Sequence, residues 1–133
     1  MSAPIMRVIL FTLGTIAFFA QVQALSYIAP PPVVIEPKAC DISVEKCVEW
    51  FSKEYKVNAD VMLNVMMCES SLNPNAIANT PREYSVGISQ INLKAHKHIT
   101  VEQAKDIKFA TEFMAKEMSK GNARIWTCYT KLY

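Results

Sequence analysis

From Ser43 to Tyr55 the apolar residues Val44, Cys47, Val48, Phe51 and Tyr55 return at intervals of three and four, which marks one face of a helix. Asn58 then reads as an N-cap, with Asp60 in the turn behind it, and Val61, Met62, Val65, Met66 and Glu69 continue a second helix. Asn73-Pro74 stops that helix, because a proline pushes the residue before it out of the helical region. The polar run on to Tyr84 has no period and is expected to be a loop or a long hairpin arm. Ser85 to Ile91 alternates Val86 and Ile88 with hydrophilic partners around Gly87, the pattern of a short strand or hairpin edge. Thr100-x-x-Gln103 opens a further helix as a capping box, which runs through Ala104, Ile107, Ala110, Phe113, Met114 and Met118 to a stop at Gly121. A last helix carries Ile125, Trp126, Tyr129 and Tyr133. The sum is a mainly α domain of the α+β kind, with about five helices and a small β-hairpin.

The N-terminus departs from this amphipathic pattern. Arg7 precedes an unbroken apolar or small stretch, Val8 to Ala20, and Val22-Gln23-Ala24 offers a small-x-small cleavage site. A membrane-spanning helix needs about 20 apolar residues, so residues 1–24 are expected to be a cleaved signal peptide. Ala29-Pro30-Pro31-Pro32 and the segment to Pro37 make residues 25–39 a Pro-rich tether, leaving 40–133 as the folded domain. The expected destination is the periplasm or the outside of the cell, with no stable membrane insertion after cleavage and an N-terminal anchor if the signal is retained. A monomer is expected.

Charge narrows the partners. Without Arg7 the 14 basic residues fall to 13 against 12 acidic ones, and Lys46, Lys53, Lys56, Lys105, Lys108, Lys116 and Lys120 are scattered at helical spacings, so nucleic-acid binding gains no support. Four cysteines in an exported chain point to disulfides, since there is no Cys-x-x-Cys and the two histidines, His96 and His98, lie far from any cysteine in the chain. No metal and no cofactor is expected. Of three possible pairings, the favoured one joins Cys40 to Cys47 and Cys68 to Cys128, although the sequence leaves the other two open. The methionines and Trp126 are read as core, and Asp106 as a structural cap. Gly87 is one of two glycines beyond residue 24, so it should sit where the backbone needs a positive φ or a close approach.

Glu69 carries the candidate chemistry. It shares a helical face with Met62, Val65 and Met66, and it stands where that helix gives way to a polar turn. There a carboxylate meets the negative end of the helix dipole while partly desolvated, both of which favour the protonated form a general acid must keep.

The order Glu69-Ser70, Asn73-Pro74-x-Ala76, Gly87-x-x-Gln90, a helix carrying Asp106 and a late Tyr129 resembles the lysozyme-like lytic transglycosylases, of the soluble lytic transglycosylase type, over roughly Val57 to Tyr133. The resemblance implies a lysozyme-like fold and action on peptidoglycan glycan strands. It implies Glu69 as the sole catalytic acid and base, with Ser70, Ser85, Gln90, Asn92 and Tyr129 touching substrate. Thr130 departs from the family pattern, which has asparagine after the tyrosine. The animal-type lysozymes keep a second carboxylate two residues before the glycine of the hairpin segment, a place held here by Ser85. Glu83, two residues further back, is assigned to the opposite side of the strand and given no catalytic part. The rivals are a hydrolytic lysozyme that uses Glu83 or a water network, and an idle wall-binding protein, against which the presence of Glu69 is counted.

Overall fold

The computed structural model describes residues 39–133; the segments expected to be a signal peptide and a tether, except Ala39, lie outside the described residues. Six α-helices appear among the described residues: α1 (Ala39–Ile42), α2 (Val44–Tyr55), α3 (Ala59–Ser70), α4 (Val101–Lys105), α5 (Ile107–Ser119) and α6 (Thr127–Leu132). Ala39, placed in the tether above, belongs to α1. Between α3 and α4 stand three short strands, β1 (Ile77–Asn79), β2 (Tyr84–Val86) and β3 (Ile91–Asn92), in one antiparallel sheet of order β1-β2-β3. Ala78 pairs with Ser85, and Ser85 with Asn92.

Local chemistry sets the helix boundaries. Ser43 caps α2 by accepting from Lys46 N, and Asn58 caps α3 by accepting from Val61 N at 3.0 Å. Thr100 and Gln103 form the reciprocal capping box of α4. At the far end of α5, Gly121 (φ +83) lets its own N–H reach Met118 O while Asn122 N reaches Glu117 O, a Schellman close.

Three expectations change. The helix expected from Thr100 to Met118 breaks at Asp106, whose extended backbone ends α4 and whose side chain accepts from Phe109 N at 2.7 Å to start α5. The apolar period runs through the break because Ala104 and Ala110 both still face the core. The last helix is also divided, into a 3-10 turn at Ala123–Ile125 and α6, with extended Trp126 between them. Finally, the strand read from Ser85 to Ile91 stops at Val86, residues 87–90 are a turn, and part of the aperiodic run is β1, so a three-stranded sheet replaces the hairpin.

The core lies where α2, α3 and α5 pack with the turn of the sheet. Cys47, Val48 and Phe51 meet Met62, Val65 and Met66, and these meet Val86, Ile88, Ile91, Met114 and Trp126. Two disulfides clamp it, Cys40–Cys47 across α1 and α2 and Cys68–Cys128 from α3 to α6, and no free cysteine remains among the described residues. The second bridge closes a separation of 60 residues, worth about 4 kcal/mol in the chain-entropy account. No helix among the described residues is long and apolar enough to cross a membrane.

Gly87 satisfies both reasons for a glycine. Its φ is +84, and a Cβ built there would stand 1.8 Å from Ala104 O, on backbone that cannot swing aside. The close approach is to α4, and it docks the sheet turn on that helix. Gly87→Ala is therefore expected to cost at least about 2 kcal/mol, measured as a drop in urea or thermal midpoint; a midpoint unchanged from the parent would contradict this packing.

Candidate active site

Glu69 sits in the last turn of α3, four residues after Val65 and three after Met66, so the helix period that buries those two turns the glutamate inward. It is half-buried. Its Oε1 accepts a hydrogen bond from the backbone N–H of Cys128 at 2.8 Å. That N–H is one of the orphan donors in the first turn of α6, and the residue at the cap position, Trp126, offers no side-chain acceptor. Glu69 therefore caps α6 from another helix. No donor among the described residues engages Oε2, so one carboxylate oxygen is structural and the other is open.

The next residue ties the same point to the sheet. Ser70 Oγ lies 2.8 Å from Ile88 O and 3.1 Å from Met66 O, joining the end of α3 to the β2–β3 turn. Trp126 Nε1 donates to Ser89 O at 2.6 Å, and Ser89 Oγ donates to Ala110 O at 2.8 Å. Thus α3, the turn and the start of α6 converge at Glu69, with α5 behind them. The backbone there is strained: Ser71 (φ 54) and Leu72 (φ 60) follow the helix in the left-handed region, and Gln90 (φ 46) does so in the turn. Each costs on the order of 1 kcal/mol or more for a residue with a side chain, and such strain collects where a site must be held in shape.

The other candidates are distributed unevenly around this joint. Gln90 Nε2 donates to Gly87 O at 2.9 Å and Ala76 O at 3.3 Å, so the amide nitrogen holds the turn and only its oxygen is open. Asn92 Oδ1 accepts from Tyr84 N and Lys94 N, leaving its Nδ2. Tyr129, half-buried and adjacent to Cys128, has its ring 5.5 Å from that of Tyr133. Ser85 is withdrawn: it is 4% exposed in the middle strand, and its Oγ lies 3.5 Å from Glu83 Oε2. That contact also corrects the placement of Glu83, since residues two apart on a strand point to the same face. His96 and His98 pack edge-on to one another and His96 edge-on to Phe113. No group of three or more His, Cys, Asp or Glu assembles among the described residues.

Groups on the helices have shifted titrations. Glu49 is lowered to about 2 by the side-chain bonds of Lys53 and Lys46 on the surface of α2. Glu117 is lowered by its bonds to Lys120 and Asn122, and the Tyr55 hydroxyl is raised by burial and by its bond to Glu112. A cavity of about 510 Å³ between α5 and residues 96–103, walled by His96, His98, Phe113 and Lys116 among others, does not include Glu69. What singles out Glu69 is its geometry. The backbone groups of the joint, Cys128 N–H on Glu69 and Ile88 C=O on Ser70, escape sequence reasoning because a main-chain group carries no side-chain signature; Trp126, two residues before Cys128, was the nearest available signal.

The family model for the transglycosylase SLT domain matches residues 46–130. The match starts earlier than the resemblance traced above and includes most of α2, and it contains every residue of the Glu69 joint. Comparison with curated proteins and with solved structures gives no match.

If Glu69 caps α6, the two common replacements should separate. Glu69→Gln keeps an oxygen acceptor for Cys128 N–H and is expected to leave stability close to that of the parent, whereas Glu69→Ala removes it and should cost about 1 kcal/mol, as other lost caps do. Equal melting temperatures for the two variants would refute the capping role.

Proposed function

The chain belongs to the transglycosylase SLT domain family, and from that premise we propose that it is an exported lytic transglycosylase that cleaves peptidoglycan between N-acetylmuramic acid and N-acetylglucosamine. The observation that carries this reading is the divided carboxylate of Glu69, with Oε1 fixed by Cys128 N–H and Oε2 without a donor among the described residues. A proton on Oε2 passes to the glycosidic oxygen as the bond to C1 breaks. The same oxygen then takes the proton of the muramoyl C6 hydroxyl as that hydroxyl closes on C1, giving a 1,6-anhydro sugar with no water consumed. One fixed carboxylate suffices for both transfers because the nucleophile belongs to the substrate.

In this reading the open oxygen of Gln90, the Nδ2 of Asn92 and the ring of Tyr129 contact the glycan. Ser70 acts through its bond to Ile88 O, which sets the turn against the acid. The two disulfides suit an oxidising compartment. Residues 1–24 as signal peptide and 25–38 as tether remain part of the proposal.

A hydrolytic lysozyme of the same fold is the second reading, and one observation favours it. Glu83 shares the face of Ser85, with its Oε2 3.5 Å from the Ser85 hydroxyl, at the place where hydrolases of this fold keep their second acid. Digestion of purified sacculi separates the two. The expected product is 1,6-anhydromuramoyl, one water lighter than a reducing end. Glu69→Gln should lower the rate by about 10²- to 10⁴-fold, the usual worth of a general acid, while Glu83→Gln changes it little. Reducing-end products together with a large loss in a folded Glu83→Gln protein would install the hydrolytic reading instead.

A further inference from the structure

A second feature lies at α6, the helix whose first turn holds the acid. A cavity of about 230 Å³ is lined by Arg124, Tyr129, Thr130 and Tyr133. Its floor is fixed to both α6 and α3. Tyr129 follows Cys128, whose N–H holds Glu69, and Tyr133 accepts at its hydroxyl from Asn64 Nδ2 of α3 at 3.1 Å. The two tyrosine rings lie against each other at 5.5 Å. Thr130 has spent its hydroxyl donor on Thr127 O. Arg124, by contrast, makes no hydrogen bond or ion pair among the described residues and stands exposed at the rim.

The side-chain charge of the surrounding stretch of sequence has one sign. Beyond Glu117 the sequence to Tyr133 contains Lys120, Arg124 and Lys131 and no acidic residue. Lys120 is neutralised by Glu117 at 2.6 Å, which leaves Arg124 as the free cation of the cavity. A guanidinium offers a planar fork of donors that matches a carboxylate, and such charge-assisted pairs are the stronger hydrogen bonds. The volume is below the roughly 300 Å³ at which pockets for whole small ligands begin, so it suits the end of a side branch.

We infer that this cavity seats a free carboxylate of the peptide stem carried by the glycan, held by Arg124 over the tyrosine platform, so that the chain selects stem-bearing, unamidated strands at the muramoyl residue to be cut. The inference rests on the peptidoglycan reading above and names a specificity determinant for it, Arg124. Peptidoglycan stems branch from the muramoyl residue itself, so a stem site one helix position from the acid's own anchor orients that residue for cleavage.

Binding tests it apart from cleavage. Two soluble tetrasaccharides of alternating N-acetylglucosamine and N-acetylmuramic acid serve as probes, one with free stem carboxylates and one with those carboxylates amidated. They are titrated calorimetrically into the purified Glu69→Gln chain. The free-acid probe is expected to bind about tenfold tighter, equivalent to about 1.4 kcal/mol, with the advantage shrinking as salt is raised. Arg124→Gln in that background should abolish the advantage and Arg124→Lys restore part of it. Equal affinity for the two probes, or an advantage that survives Arg124→Gln, overturns the site; the comparison of probes on the Arg124 protein decides the matter even if the variants fail to fold. Product analysis of sacculi digested by the unsubstituted chain reads the transglycosylase assignment separately. Anhydro product with equal probe affinities removes only the carboxylate site, and unequal affinities without anhydro product remove only the assignment.

Discussion

The bond from Cys128 N–H to Glu69 Oε1 is the point on which the architecture turns. Two chain segments 59 residues apart meet there, and neither has a local substitute: α6 has no side-chain cap of its own, and an inward-facing carboxylate at a helix end needs a donor. The neighbouring bonds follow from it. With α6 held at its first turn, Trp126 is placed to donate to Ser89 O, and Ser70 reaches Ile88 O from the other side. The Cys68–Cys128 bridge doubles the connection covalently through the residues flanking and bearing the same contact. A domain with so few buried large side chains gains rigidity from this combination that its hydrophobic core alone would not supply.

The β2–β3 turn shows how backbone requirements and chemistry become entangled. Gly87 must be glycine because α4 presses on it, and Gln90 adopts a positive φ while its amide nitrogen closes the turn. A motif that reads as a ligand-binding signature is thus largely a folding device, with one oxygen left open. The same economy appears in Asn92, whose Oδ1 secures Tyr84 and Lys94. Polar side chains at this site serve first to hold strained main chain, and only their remaining atoms are open.

Much of this was legible in the sequence. The caps at Asn58 and at Thr100 with Gln103, the Gly121 stop and the inward face of Glu69 are local patterns, and local patterns depend on near neighbours only. The breaks at Asp106 and Trp126 were not, because apolar spacing is blind to a change of direction that leaves the next buried residue in place. Ile77–Asn79 was too short and too polar to show an alternation. Glu83 was misplaced through the strand period itself, which puts residues two apart together. The tertiary partner of Glu69 is a main-chain N–H from a distant segment, and a string of side-chain identities carries no trace of it.

The divided carboxylate has a consequence for judging whether chains of this kind are alive as enzymes. A glutamate in this place is normally taken as the fingerprint of activity, yet here natural selection has a reason to keep it that owes nothing to turnover, since its loss would unpin the last helix. A descendant that had abandoned catalysis and survived as a scaffold would remain under pressure to retain the same side chain. Glutamine, which preserves the pin and forfeits the proton, is the substitution by which such a lineage would drift into retirement, so glutamate-to-glutamine exchange at this position is a more telling mark of a pseudoenzyme than any erosion of the fold around it.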